Sequence, residues 1–260
     1  MKRPFQLRKR LPRRRFLQGA ATASTLVLAG CDNLSRTEWL PKVLNSVEPL
    51  NHSLAKALGR KAMAQEFAES DRSPEFRSNG SDMADTDQYN AWLANKFADY
   101  ALDVGGLCES PRKLSLADLR ALPSRTQVTR HDCVEGWSAI AKWKGARMAA
   151  LLDLVKPRPE ARYVMLYCAD PMNQDGTDLY YESIDFDDAR HEQTILAYDL
   201  NDAPLPVANG APLRLRVERQ LGYKHAKYVM RLELVESFAH IGDGKGGYWE
   251  DQGYQWYAGI

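Results

Sequence analysis

Apolar and polar positions in this chain follow two periods, and the switches between them mark out its elements. Arg162 to Cys168 is a continuous apolar run, the pattern of a strand covered on both faces. Shorter strands are expected at Leu179 to Ile184, Ile195 to Leu200, Leu213 to Glu218 and Tyr228 to Val235. Tyr100 to Leu107 alternates and ends in Gly105-Gly106, a strand with a turn or bulge. Thr126 to Arg130 is a strand that stops just before Cys133. Helical spacing joins Leu54, Ala57, Leu58, Ala62 and Phe67, weakened by Gly59, and runs again from Tyr89 to Tyr100 through Trp92, Leu93, Lys96 and Phe97. Ser115 with Asp118 three positions on reads as an N-cap for a short helix through Leu119 to Leu122 that stops at Pro123. Met148 to Val155 is a helix closed by Pro157. Trp143-Lys144-Gly145, Asn201 to Pro204 and Ala208 to Pro212 read as turns, and Ser73 to Asp87 as a polar loop. Strands and short helices mix without a steady βαβ rhythm, which predicts an α+β fold built on mixed sheets.

Composition narrows the function classes. The chain has 260 residues, 44% of them hydrophobic, enough for one sizeable core. Its 35 basic and 34 acidic side chains leave a net charge of +1, unlike the strongly basic face of a nucleic-acid binder. There is no Gly-x-Gly-x-x-Gly and no Walker loop, so dinucleotide and nucleotide-hydrolase readings lack support. The start of the chain reads as an address. Basic residues from Lys2 to Arg15 precede Gly19 to Gly30, a run too short to span a bilayer. Arg13-Arg14-Arg15-Phe16-Leu17 resembles the twin-arginine export signal, which carries folded proteins, commonly with a cofactor already loaded. Leu28-Ala29-Gly30-Cys31 resembles a lipoprotein box, making Cys31 the expected lipidated end of the mature chain, and Asp32 resembles an inner-membrane retention signal. The expected organisation is a signal over 1–31, a tether and helical segment over 32–75, and a catalytic domain over 76–260.

Four segments carry candidate chemistry. Arg130-His131-Asp132-Cys133-Val134-Glu135-Gly136-Trp137-Ser138 puts a thiol at a strand end, next to two groups whose positive charge would favour the thiolate. A buried, inert cysteine is the plain alternative. With Cys31 lipidated, Cys108, Cys133 and Cys168 remain, an odd count for an oxidising compartment. No Cys-x-x-Cys-His is present to attach a haem. Asn209 to Arg214 offers an amide for a heterocycle edge and a planar fork for a phosphate. Gly222-Tyr223-Lys224-His225-Ala226-Lys227 adds close backbone approach and more cations, unless it is a solvated basic loop. The aromatic tail from Gly246 to Ile260 either covers the site or caps the core, and packing is the simpler role.

Taken in order, His131 to Ser138, Trp143-Lys144-Gly145, Leu196-Ala197-Tyr198, Asn209 to Arg214 and Gly222 to Lys227 resemble the molybdopterin-binding domain of the sulfite oxidase family, in its bacterial exported branch. The likeness runs from about Phe76 to the end of the chain. It implies a sulfite-oxidase-type fold and a molybdenum-molybdopterin cofactor ligated by the Cys133 thiolate, a soft donor suited to such a metal. It further implies cofactor contacts from Asn79, Asn209, Arg214, His225, Ala226 and Lys227. Cys168 falls where relatives contact the cofactor through Thr or Ser, with a disulfide to Cys108 as the alternative. Arg77, Arg130 and His131 are the expected residues attracting a small oxyanion or sulfoxide and stabilising charge on the transferred oxygen. The resemblance also implies a monomeric catalytic subunit at the periplasmic face of the inner membrane, with no haem of its own. Its electrons would pass through a separate cytochrome or membrane haem protein. Two other classes compete: a lipid-anchored binding protein without catalysis, and a hydrolase using Cys133 as nucleophile and His131 as base.

Overall fold

A computed structural model describes residues 37–59 and 62–260. The export signal and Cys31 lie outside the described residues. The described residues up to Ser53 fall in one unit and 54–260 in another, and Cys133, Arg214 and Lys227 belong to the second. The first helix among the described residues, α1 (Trp39–Gly59), ends at Gly59. Ala62 and Phe67, expected to continue it, instead belong to a non-helical stretch in which Glu66 bridges to Thr129. A glycine is a poor interior helix residue, and here it closes the helix. Among the described residues no helix is long and apolar enough to cross a membrane.

Helix α2 (Asp87–Ala94) also stops earlier than its apolar period suggests. The Asn95 side chain accepts from the Ala98 amide and donates to Asp99, a local bond that competes with the helical ladder. Lys96 and Phe97 then take left-handed angles, which turn the chain into β1 (Ala101–Gly106). Strand β2 (Arg112–Ser115) pairs antiparallel with β1; its mixed polar sequence left no period to read. Ser115 ends β2 and caps α3 (Leu116–Ala121) in a reciprocal capping box with Asp118.

Strands β3 (Ser124–Cys133) and β4 (Trp137–Arg147) form a long hairpin that pairs Cys133 with Trp137. The Trp143-Lys144-Gly145 turn is therefore a correction: those residues are mid-strand in β4. Gly145 stands where the sheet bulges, and a Cβ there would collide with the Leu196 carbonyl. The glycine serves close strand approach, not reversal of the chain. Helix α4 (Met148–Val155), with the bounds read from sequence, buries Met148, Leu151, Leu152 and Val155, an i, i+3, i+4, i+7 stripe. It ends on left-handed Lys156 just before Pro157.

The remaining elements are β5 (Tyr163–Pro171), β6 (Leu179–Asp185), α5 (Phe186–Ala189), β7 (Ile195–Leu200), β8 (Ala203–Pro204), β9 (Arg214–Arg216), β10 (Val229–Val235) and α6 (Tyr248–Asp251). Two sheets result. One runs β2-β1-β10-β5-β6, with β1 and β10 parallel and the rest antiparallel; the other runs β3-β4-β7-β8, with β9 also on β7. The main core includes Leu102, Leu152, Leu166, Leu196, Leu215 and Leu232. Each such side chain contributes roughly 1.5–3 kcal/mol on burial. This is the α+β architecture of mixed sheets and short helices that the sequence predicts.

Candidate functional site

The end of β3, the loop around Asn79 to Ser81, the C-terminal end of β5 and the segment Tyr223 to Lys227 meet around one cavity of about 210 Å³. Cys133 lies in its wall with Val134 and Glu135. Asp170 and Met172 come from β5 and the loop after it, and Tyr180 from β6. Trp249 and Tyr254, from α6 and the tail, stand on another side. Their rings stack at 5.4 Å, and Tyr223 meets Tyr254 edge-on at 5.2 Å. The tail thus contributes to the cavity as well as to packing.

Cys133 is half-buried, and burial raises its thiol above the ordinary range. The Glu135 carboxylate beside it works in the same direction. The counteracting influences are the Glu135 backbone amide and, over a longer range, the Arg214 guanidinium. The cations expected to help from the flanking sequence do not. Arg130 is exposed and ion-paired to Asp132 at 2.9 Å. His131 is buried, held well below its usual range by burial and by Arg216, Arg214 and Lys227. Its Nδ1 meets Arg216 at 2.8 Å, and its ring packs against Gly222, where a Cβ would come within 2.6 Å of Nε2. Among the described residues no hydrogen bond joins His131 to the Cys133 thiol, the contact a Cys-His hydrolase needs.

Behind Cys133 lie two buried cations of unusual standing. Arg214 is fully buried on β9, and its Nη1 donates to the Asn209 carbonyl at 2.9 Å. Its Nη2 reaches the His225 carbonyl at 3.3 Å and Asn79 Oδ1 at 3.4 Å. Lys227 donates to Ser78 Oγ, the Ala208 carbonyl and the Ser81 carbonyl. Among the described residues no carboxylate pairs with either. Burial, then the neighbouring charge of Arg216, pulls Arg214 down to about 9. Burial and Arg214 together pull Lys227 down to about 7. Gly210 is at φ +106°, and a Cβ there would come within 2.9 Å of the Lys227 side chain, so the position favours glycine.

The buried polar atoms here without a partner include Asn209 Nδ2, Arg214 Nε, His225 Nδ1, His131 Nε2 and, on the cavity wall, Asp170 Oδ1. The ring of His225 donates through Nε2 to the Gln220 carbonyl at 2.9 Å. An unmatched buried donor costs about 1–3 kcal/mol, and an unpaired buried charge more. Two cations and two unmatched donors, Arg214 Nε and Asn209 Nδ2, therefore fit an anionic, acceptor-rich group beside a thiol that can ligate a metal. The residues read from sequence divide accordingly. Cys133, Asn79, His225, Ala226 and Lys227 line the cavity, and Asn209 and Arg214 back it. Arg77 lies outside the wall, its guanidinium 5.8 Å from the Trp137 ring. Cys168 is fully buried in the core and lines no part of the cavity; it and Cys108 are both free thiols.

Sequence reasoning missed Glu135, Asp170, Met172 and Tyr180 on the wall. It also missed Arg216 and Glu218 behind it. Arg216 holds Glu218 through Nε at 2.9 Å and Nη2 at 2.5 Å, with both side chains fully buried. The available signal was charge at every second position of Arg214-Leu215-Arg216-Val217-Glu218, which sets three charges on one face of a strand otherwise read as apolar.

Such a pocket, with one thiol, an anion-hungry floor and no carboxylate partners for its cations, defines a cofactor-binding redox domain. Residues 90–240 match the family described as the oxidoreductase molybdopterin binding domain, and the chain belongs to that family. Its cofactor is molybdenum-molybdopterin, and the chain is a molybdenum-dependent oxidoreductase domain of the sulfite oxidase type. It is 43% identical over 162 residues to a putative protein-methionine-sulfoxide reductase subunit, YedZ1, of Azospira oryzae, covering 62% of this chain and 56% of that one. It is 33% identical over 235 residues to the protein-methionine-sulfoxide reductase catalytic subunit MsrP of Xanthomonas axonopodis pv. citri, covering 86% of this chain and 70% of that one. The chain thus spans little more than half the length of the Azospira relative. The sulfane dehydrogenase SoxCD from Paracoccus pantotrophus aligns at a TM-score of 0.48 and 22% identity, over 54% of this chain and 39% of that one.

Proposed function

We propose that this chain reduces sulfoxides of the methionine-sulfoxide type, with Cys133 as the protein ligand to molybdenum. The observation that carries the reading is the position of the Cys133 thiol in the wall of a cavity whose buried cations, Arg214 and Lys227, lack carboxylate partners. The substrate class comes from the relatives, which are named as methionine-sulfoxide reductase subunits. When bound, the cofactor supplies two-electron, oxygen-atom chemistry, while the protein supplies orientation, charge and exclusion of water.

The roles of the chain's own residues follow from the geometry. Arg214, Lys227 and Asn209 hold the anionic part of the cofactor, and the His225 carbonyl braces the Arg214 guanidinium. Asn79 orients Arg214 from the cavity side. Trp249, Tyr254 and Met172 give the cavity an apolar face against which a thioether or sulfoxide side chain rests. Arg77, beside Trp137, adds positive charge near Glu135 at the cavity wall. The export and lipoprotein signals support a periplasmic, membrane-anchored enzyme tethered through Cys31 and supplied with electrons by a separate cytochrome or membrane haem protein.

The test is reduction of methionine sulfoxide by the exported protein with a reduced dye as electron donor, with molybdenum measured on the same sample. Stoichiometric molybdenum and turnover are expected, both lost in Cys133→Ser. Full metal and full turnover in that variant would overturn the assignment. Bound cofactor without turnover on sulfoxides or sulfite would favour the non-catalytic alternative.

A further inference from the structure

Beyond the cavity wall at Tyr180 lies a second polar cluster that the cofactor site does not use. Lys224 Nζ donates to Glu182 Oε1 at 2.5 Å and to Glu250 Oε1 at 2.6 Å, and all three side chains are fully buried. Their formal charges leave one negative charge in excess at zero exposure. Glu182 Oε1 takes a second bond from the Ser183 amide at 2.7 Å. Glu250 Oε2 has no partner. The remaining oxygen, Glu182 Oε2, faces the Tyr180 hydroxyl at 3.4 Å. That hydroxyl also bonds the Tyr223 carbonyl at 2.5 Å, and both tyrosines line the cavity. Gly247 lets the two carboxylates meet, since a Cβ there would strike both.

One lysine neutralises one carboxylate. A second, uncompensated carboxylate at zero exposure is costly enough that a buried acid normally keeps its proton instead. Burial and the Glu250 charge push Glu182 well above the carboxylate range, while Lys224 is raised by its two acids against the opposing effect of burial. Tyr180 faces both acids and Cys168 faces Glu182, while Asp170 acts on Tyr180 and Cys168. The Trp256 ring covers the ammonium at 5.3 Å.

We propose that the Glu182–Lys224–Glu250 cluster stores one exchangeable proton and delivers it to the cavity through the Tyr180 hydroxyl. The direction of flow rests on the sulfoxide reading above. Reduction breaks the S=O bond, the sulfur keeps an electron pair, and the oxygen leaves as water after taking two protons. The two electrons come from the separate electron carrier. One proton comes from the carboxyl pair by way of Tyr180, the other from solvent at the cavity mouth, and the cluster reloads from solvent between turnovers. These are positioning residues for a proton, since none of the three acts on the substrate directly.

The experiment combines infrared spectroscopy with turnover on the full chain. At pH 8, where Asp170 with its value of about 6 is ionised, the wild type should show one deuterium-sensitive carbonyl band of a protonated carboxyl. The band should appear with or without cofactor and vanish in Glu182→Gln, where one lysine balances one carboxylate. Tyr180→Phe should keep the band, the molybdenum content and KM, yet lose roughly a hundredfold in kcat with a larger solvent isotope effect. A wild type without the band, a band that survives Glu182→Gln, or a Tyr180→Phe variant with unchanged kcat would each overturn the proposal. If Glu182→Gln fails to fold, the wild-type band and Tyr180→Phe decide it. A loaded wild type that shows the band but reduces no sulfoxide sinks the substrate reading alone. The Tyr180→Phe loss is then sought in sulfite oxidation, where the same path runs outward.

Discussion

Arg214 and Arg216 stand two residues apart on β9, both fully buried, and both rest on the ring of Trp143, at 5.0 and 4.4 Å. Their surroundings differ in one respect. Arg216 has a bidentate carboxylate in Glu218, which also accepts from Gln127 Nε2 at 2.8 Å, and its third contact is His131. Arg214 has carbonyls, an amide oxygen and an Nε with nothing to bond. One guanidinium is finished within the fold; the other is left to be finished by something that binds. Burial alone does not separate a structural cation from a ligand-binding one. The internal partner does.

The sharpest break of that contrast is at Arg216. Replacing Glu218 by Gln leaves Arg216 buried without its counter-charge, which should cost about 3–5 kcal/mol and lower the melting temperature by on the order of 10 °C. Calorimetry on the cofactor-free chain measures it; an unchanged melting point would mean that Arg216 is no better paired than Arg214. The opposite result is expected for Arg214→Met. Removing an unpaired buried charge should leave cofactor-free stability equal or higher, while charge-assisted bonds worth about 1.5–3 kcal/mol are lost to the ligand, which converts to roughly 10- to 100-fold weaker cofactor retention. Molybdenum content against melting temperature, measured for the two variants together, shows whether the two arginines separate as the geometry says. A smaller effect of the same sign is expected for Asn209→Ala, which removes a single unmatched donor, and retention should fall by about tenfold or less.

The same contrast explains what could be read from the chain beforehand. The apolar period located most strands and α4, because their burial stripes are long and regular, and Ser115 with Asp118 gave the start of α3 outright. The ordered motifs gave Cys133, Arg214 and Lys227. What failed was everything decided by a partner distant in sequence. Trp143-Lys144-Gly145 looks like a turn until Leu196 is packed against Gly145. His131 looks like an ally of the neighbouring thiol until Arg216, 85 positions on, claims its Nδ1. Cys168 falls at a plausible contact position but sits inside β5 with its side chain in the core. Helix ends were misjudged for a local reason, the Asn95 side-chain bond that stops α2.

The finest test of the unfinished floor is its response to pH, carried by Lys227. Its folded value of about 7 lies below that of an unfolded lysine, near 10.4, so the direction is opposite to that of a lysine that gains a partner. Below pH 7 both states hold the proton, and the cost of the buried ammonium is present in full. As pH rises from 7 towards 10, the unfolded chain keeps a proton that the folded chain has released, so this group makes the cofactor-free protein more stable. Lys227→Met removes that slope. The difference in unfolding free energy between the wild type and the variant, followed from pH 6.5 to 9.5, should therefore move steadily in favour of the wild type. An anion that binds at the floor reverses the condition by returning a partner to the ammonium, so loading should take up a proton near pH 8. Isothermal titration in buffers of different ionisation enthalpy counts that proton, and none would mean that Lys227 was already paired before anything bound.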